Sequence, residues 1–103
     1  MGYEPMVGCE YEWFNFKETQ ESLRAKNYQG LNPLTQGMCG YSLLRTTDPE
    51  SYMTALRDSL EAVDIPLEGL HTETGPGVYE AALEVTDPLE AADRAVLFKS
   101  FST

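Results

Sequence analysis

Residues 71–80, His-Thr-Glu-Thr-Gly-Pro-Gly-Val-Tyr-Glu, constrain the fold more than any other stretch of the chain. They read as strand, tight turn, strand. Extended residues lead in from Ile65, and a strand-compatible run continues from Val78 to Val85. Gly75 and Gly77 can take positive φ, while Pro76 fixes its own φ and offers no N–H. If the loop is residues 74–77, Glu73 faces Val78 and His71 faces Glu80. Glu73, His71 and Glu80 then lie on one side of the hairpin, with diagonal neighbours roughly 5.5–8 Å apart. That spacing lets two carboxylates share a divalent cation or bind adjacent ones. A three-residue loop would reverse the parity and move Glu80 to the other face, so any metal reading depends on the register.

The second constraint is residues 6–16, Met-Val-Gly-Cys-Glu-Tyr-Glu-Trp-Phe-Asn-Phe, an aromatic run with strong extended preference. A period of two puts Glu10, Glu12, Phe14 and Phe16 on one face and Cys9, Tyr11 and Trp13 on the other. Two carboxylates on so apolar a strand have two readings. On a central strand each buried charge would cost several kcal/mol (order of magnitude) unless paired or metal-bound. On an edge strand they are solvated acids on a wet face. Trp13, Phe14 and Phe16 are expected in the core, and Cys9 and Cys39 act as inert small hydrophobes.

Between these strands the sequence is mostly helical or irregular. Residues 17–36 are polar, with a short helix expected at 20–25. Residues 37–45, Gly-Met-Cys-Gly-Tyr-Ser-Leu-Leu-Arg, read as a short strand or a loop lining a site, the two glycines marking close backbone approach. A helix start follows in Thr47-Asp48-Pro49-Glu50, either with Thr47 and Glu50 as a capping box or with Asp48 as cap before Pro49. Tyr52, Met53, Leu56, Leu60 and Val63 then fall at helical spacing, with Arg57, Asp58 and Glu61 outward. Asp64-Ile65-Pro66 ends that helix. Asp87 and Glu90 repeat the capping-box spacing at a last helix, whose apolar side is expected to be Leu89, Ala92, Val96 and Leu97, joined by Phe98 and Phe101. This order gives an α+β fold: a mainly antiparallel sheet with helices on one face and the acids on the other.

Charge excludes several function classes. The 103 residues include 17 acidic and 7 basic side chains, a formal net charge of −10. Nucleic acid and anionic membrane surfaces need clustered Lys and Arg, so neither is expected as a partner. An anionic substrate would need cations as intermediaries. No apolar run reaches membrane-span length and no signal peptide is visible, which reads as a cytoplasmic protein. Cys9 and Cys39 have no metal-type or redox-type spacing, and free thiols are the default.

Glu10, Glu12, Glu73 and Glu80 are the constellation that could carry chemistry. Mg²⁺ and Mn²⁺ prefer carboxylate oxygens in octahedral geometry and retain several waters. Four carboxylates on one sheet face could hold two such ions, with open positions for phosphate oxygens. Taken alone, His71 reads as a hydrogen-bonded or solvated imidazole and Glu68 as a solvent-facing strand residue.

Residues 9–16 (Cys-Glu-Tyr-Glu-Trp-Phe-Asn-Phe), 37–45 and 67–80 (Leu-Glu-Gly-Leu followed by the hairpin) resemble the first part of the catalytic domain of glutamine synthetases. Residues 92–99, Ala-Asp-Arg-Ala-Val-Leu-Phe-Lys, fit as well. The likeness implies a ligase that joins ammonia to the side-chain carboxylate of glutamate through a γ-glutamyl phosphate, with ATP as co-substrate and two Mg²⁺ or Mn²⁺ ions. It implies that Glu10 and Glu12 each contribute to one ion, that Glu73 and Glu80 join Glu12, that Glu68 contacts ATP and that His71 lies against the nucleotide. No residue is assigned a further catalytic role. The resemblance also implies a homo-oligomer at full length, and relatives with the same motifs attach glutamate to other amines. The family's later histidine and glutamate for the Glu10 ion, its arginines and its ATP loop have no counterpart here. Residues 1–103 are therefore expected to be a partial catalytic domain, one metal site incomplete and inactive alone. The alternative is a non-catalytic structural or metal-binding relative.

Overall fold

The computed structural model describes residues 2–38, 40–47 and 50–102. Its elements in chain order are β1 (Glu10–Phe14), α1 (Gln20–Ala25), α2 (Leu43–Thr47), α3 (Glu50–Glu61), β2 (Leu67–Thr72), β3 (Val78–Leu83) and α4 (Pro88–Phe101). The strands form one antiparallel sheet in the order β1-β3-β2. The α+β expectation holds, with α3 and α4 packed on one face.

The four-residue turn is the one that forms. His71 pairs with Glu80 and Thr72 with Tyr79, and the Glu73 N–H donates to Val78 O at 3.0 Å. Gly75 and Gly77 take φ of 139° and 73°, a region that suits glycine because an L side chain strains there. Gly77 is also wedged between two segments. A Cβ there would come within 2.5 Å of Asn15 O and 3.1 Å of Leu34 N.

The core lies between the sheet and the two long helices. Leu56 and Leu60 of α3, Ile65, Ala81 and Leu83 of β3, and Phe98 of α4 form it, with Cys9, Tyr11, Trp13, Tyr52, Val63, Leu67 and Leu70 packed against it. The expected α3 stripe is therefore the buried one, while Arg57, Asp58 and Glu61 are exposed. Tyr11 stacks on Phe98 at 4.4 Å between ring centroids, and Trp13 Nε1 donates to Tyr52 Oη at 3.0 Å. Odd-numbered β1 residues thus face the helices, as a period of two requires.

Several expectations are corrected. The strand expected over 6–16 pairs continuously only over Glu10–Phe14, with isolated bridges from Val7 to Thr86 and from Phe16 to Pro33. Phe14 and Phe16 are not core: they are 61% and 42% exposed and stack on each other at 6.2 Å, because they share the face opposite the helices. Among the described residues of 37–45 no strand forms; a turn leads into α2, which the sequence did not announce. The proposed capping residues Asp48 and Pro49, like Cys39, lie outside the described residues. Thr47 ends α2, and its hydroxyl donates to Leu43 O.

On α4, Asp87 caps as expected, accepting from Leu89 N and Glu90 N at 3.0 and 3.2 Å. The reciprocal half of the box does not form, because Glu90 pairs with Arg94 at 3.0 Å instead. The buried side of α4 is Ala91 and Phe98, while Leu89, Val96, Leu97 and Phe101 are exposed. This helix is apolar around most of its circumference, so spacing alone could not choose the face. The Tyr11–Phe98 stack chose it.

The helix expected over 20–25 is α1, with a reciprocal cap between Thr19 and Ser22. One carboxylate ties this segment together. Glu18 accepts from Lys26 Nζ at 2.6 Å, Ser22 Oγ at 2.5 Å and Asn32 N at 2.8 Å. These bonds, that of Lys26 foremost, hold its pKa at about 2, below the ordinary 4.5. Since the folded pKa is depressed, the stabilisation is complete above about pH 4.5 and is lost as pH falls towards 2. Glu18→Gln should flatten the acid limb of a stability–pH curve in that window, measured by chemical denaturation at a pH series. Gly77→Ala should cost ~1–3 kcal/mol of stability by forcing a Cβ into a positive-φ position, read as a lowered melting temperature.

Candidate functional site

The sheet face opposite the helices collects the acids, and strand pairing aligns them. Glu12 pairs with Glu80 across β1–β3, and Glu80 pairs with His71 across β3–β2, giving one row Glu12–Glu80–His71. Leu83 N donates to Cys9 O and Asn15 N to Gly77 O, so odd-numbered β1 residues make the ladder bonds. Glu12 and Glu80 are therefore a non-hydrogen-bonded pair, the arrangement in which opposite side chains stand closest. Like charges directly opposite repel. Glu80 is only 8% exposed, whereas Glu12 is open to solvent. The Glu80 carboxylate lies 3.7 Å from His71 Nε2, longer than a hydrogen bond. His71 Nδ1 lies 3.3 Å from Thr72 O.

Sequence reasoning named residues 37–45 as a possible site lining without singling out Tyr41. The chain at Gly40–Tyr41–Ser42 wraps the outer edge of β2. Tyr41 N donates to Thr72 O at 2.6 Å, and Ser42 N donates to Thr72 Oγ1 at 3.0 Å. Tyr41 takes φ of 54° and lays its ring on His71, centroids 4.6 Å apart. Gly40 makes this approach feasible: a Cβ there would crowd Glu73 Oε1 and Thr74 Oγ1, both at 3.2 Å. The pKa of the Tyr41 phenol is raised above the ordinary 10.0. The charge of Glu73 contributes most, followed by burial and then by the charges of Glu80 and Glu10. One hydroxyl thus feels carboxylates from β1, from β3 and from the residue that follows β2. The glycine before an aromatic in Gly-Tyr-Ser is the one local signal that could have found it.

Glu73, Glu80, Glu10, Glu12 and His71 therefore share one face, as the four-residue turn predicts. Glu68 stands apart from them. It is exposed on β2, next to a register shift between Leu67 and Gly69, and it lines a cleft of about 730 Å³ with Leu43, Thr46, Met53 and Arg57. Edge position explains the solvated acids of β1: among the named strands β1 has β3 on one side only.

The donor set suits a hard divalent cation, being carboxylate oxygens with one imidazole and one phenol beside them. Opposed like charges at Glu12 and Glu80 would also be relieved by a cation between them. Convergence is incomplete, however. Among the described residues, no three His, Cys, Asp or Glu side chains meet around one point where an ion could sit. The acids are aligned along the face rather than gathered. Among the described residues, no helix is long and apolar enough to cross a membrane.

The profile of the family "Glutamine synthetase, catalytic domain" matches residues 1–103. The chain is 54% identical over 97 residues to type-1 glutamine synthetase 2 of Dictyostelium discoideum, covering 94% of this chain and 18% of that protein. It is 29% identical over 100 residues to a glutamate–isopropylamine ligase of a Pseudomonas species, covering 97% of this chain and 22% of the ligase. A γ-glutamylethanolamide synthetase of Streptomyces coelicolor is 30% identical over 99 residues, 96% of this chain and 21% of the synthetase. The chain spans about a fifth of the length of these curated relatives. Its family, matched over every residue, is the glutamine synthetase catalytic domain, and the chain belongs to it.

Proposed function

We propose that residues 1–103 are a partial catalytic domain of an ATP-dependent ligase that forms glutamine from glutamate and ammonia, and that the acid face is its cation-holding wall. The observation that carries this reading is the cross-strand row Glu12–Glu80–His71 on one sheet face within a chain of this family. Ammonia is favoured as the amine because identity to a glutamine synthetase is 54%, against 29–31% to ligases named for isopropylamine, ethanolamine and aniline products. A γ-glutamyl ligase for another amine is the runner-up.

Glu12, Glu73 and Glu80 would hold one Mg²⁺ or Mn²⁺ and Glu10 the other, the second site being completed by residues outside this chain. Such ions neutralise phosphate and carboxylate oxygens that otherwise repel. The chain's own residues do the positioning. The β1–β3 register keeps Glu12 beside Glu80, and the turn at 74–77 keeps Glu73 in the same parity. The Thr74 N–H donates to Glu73 Oε2 at 3.0 Å and orients that carboxylate, while the Tyr41 ring lies on His71. Glu68 is proposed as a nucleotide contact and His71 as a neighbour of the nucleotide. Assembly into a homo-oligomer and a cytoplasmic location belong to the same proposal.

The incomplete convergence of the acids favours one further reading, in which the chain is a non-catalytic structural or metal-binding relative. The two readings agree for this chain alone. Purified 1–103 should show no ATP-dependent glutamine formation from ammonia; robust turnover would defeat the partial-domain reading. Mn²⁺ should bind with a dissociation constant on the order of 10⁻⁴–10⁻³ M, the weak end for carboxylate sites. In Mn²⁺ titrations followed by electron paramagnetic resonance, Glu12→Gln and Glu73→Gln should each weaken it about tenfold. Unchanged affinity in both variants would mean that these glutamates are merely solvated.

A further inference from the structure

The loop that sets the parity of Glu73 is soft by composition. Two of its four residues are glycines, which lose more backbone freedom on ordering than any other residue. Its internal bond is long, with Val78 N donating to Gly75 O at 3.4 Å. Firmer contacts reach it from another part of the chain, and they converge on Gly77. The Gly77 carbonyl accepts from Asn15 N at 2.8 Å, and the Gly77 N–H donates to Thr35 Oγ1 at 3.2 Å. Thr35 is 5% exposed and Gly77 is buried, so water is poorly placed to replace that hydroxyl.

Thr35 is itself pinned. Lys17 N donates to Asn32 O and Leu34 N to Asn15 O, each at 2.8 Å, Phe16 bridges to Pro33, and Glu18 Oε1 accepts from Asn32 N at 2.8 Å. Residues 32–35 are thus a tethered strap laid against the end of the hairpin. The other end of the same loop touches the acid face. Thr74 N donates to Glu73 Oε2 at 3.0 Å, and Glu73 N donates to Val78 O at 3.0 Å. Releasing the Gly77 N–H would let the two glycines sample other φ values, and Thr74 would carry the Glu73 carboxylate with it.

We propose that Thr35 is a positioning residue for Glu73: its hydroxyl holds the Gly77 N–H, and through the 74–77 loop it keeps the Glu73 carboxylate in place on the acid face. Thr35 touches neither cation nor substrate. Its hydroxyl carries the role rather than its methyl group, because removing the acceptor leaves a buried N–H unpaired, which is the costly way to lose a hydrogen bond. The consequence for cation binding rests on the reading of the acid face as a cation-holding wall, whereas the ordering of Glu73 needs no metal.

Two readouts test this, amide hydrogen exchange of the metal-free chain and Mn²⁺ titration. The reference amide is that of Leu83, which donates to Cys9 O in the sheet away from the loop. In Thr35→Val, exchange of the Glu73 N–H should accelerate about tenfold relative to Leu83, the scale of one buried hydrogen bond lost, and Mn²⁺ affinity should fall at least about threefold. Thr35→Ser keeps the hydroxyl and should restore both. Ile65→Val, a core change of similar cost, should lower the melting temperature and move neither. Equal acceleration of Glu73 and Leu83 in Thr35→Val, or none, would reduce Thr35 to a merely structural residue and overturn the proposal. So would Mn²⁺ affinity that falls in Glu73→Gln but not in Thr35→Val. If Thr35→Val does not fold, the native chain decides: its Gly77 N–H should be protected, and exchange at an open-chain rate while Leu83 stays protected would overturn the proposal. Selective acceleration of Glu73 with Mn²⁺ affinity indifferent to Glu73→Gln would uphold the positioning and defeat the cation-wall reading instead.

Discussion

The register of the β2–β3 hairpin is the constraint on which the rest of the structure depends. A side-chain period of two means that a slip of one residue exchanges the faces of a strand. With residues 74–77 as the loop, Tyr79, Ala81 and Leu83 fall towards the helices and are almost fully buried. Glu80 and His71 fall on the opposite face in the same step. Core and acid face are thus two consequences of one turn. Gly75 and Gly77 hold that turn in the positive-φ region, and Gly77 leaves room for the backbone of Asn15 and Leu34 to close over it.

The sheet separates its two jobs by parity. On the helix side, the stack of Tyr11 on Phe98, the edge-on contact of Trp13 with Phe98 and the contact of Tyr52 with Tyr79 lock β1 and β3 to α3 and α4. On the other side, Glu12 and Glu80 are held opposite each other despite their repulsion, because the packing behind them fixes the strands. The mutual repulsion of acids is a cost that the core offsets. Tyr41 reaches this face from the edge of β2 and lays its ring on His71.

Many of the chain's large apolar side chains lie outside its core. Leu43, Leu44, Leu89 and Val96 are exposed along with Phe14 and Phe16, while the buried set is confined to one layer between the sheet and two helices. A chain matching about a fifth of its relatives' length would carry such surface as part of a larger catalytic domain. The apolar circumference of α4 has the same explanation under that proposal: one side meets the present core, and the other would meet further polypeptide.

Local chemistry was enough to read much of this from the sequence. The α+β class, the 20–25 helix, the buried stripe of α3, the cap at Asp87 and the parity of β1 follow from periodicity and capping residues alone, which act over a few neighbours. The four-residue turn was one of two readings consistent with the sequence, and the likeness to glutamine synthetases rested on motifs in order along the chain. Other features were decided only in three dimensions. Pairing with β3 set Glu12 opposite Glu80; burial against Tyr11 picked Phe98 over Val96 and Leu97; the wrap of residues 40–42 around β2 brought Tyr41 to the acids. Each depends on contacts between residues far apart in sequence, where the energy lies in which surfaces meet rather than in what each segment prefers by itself.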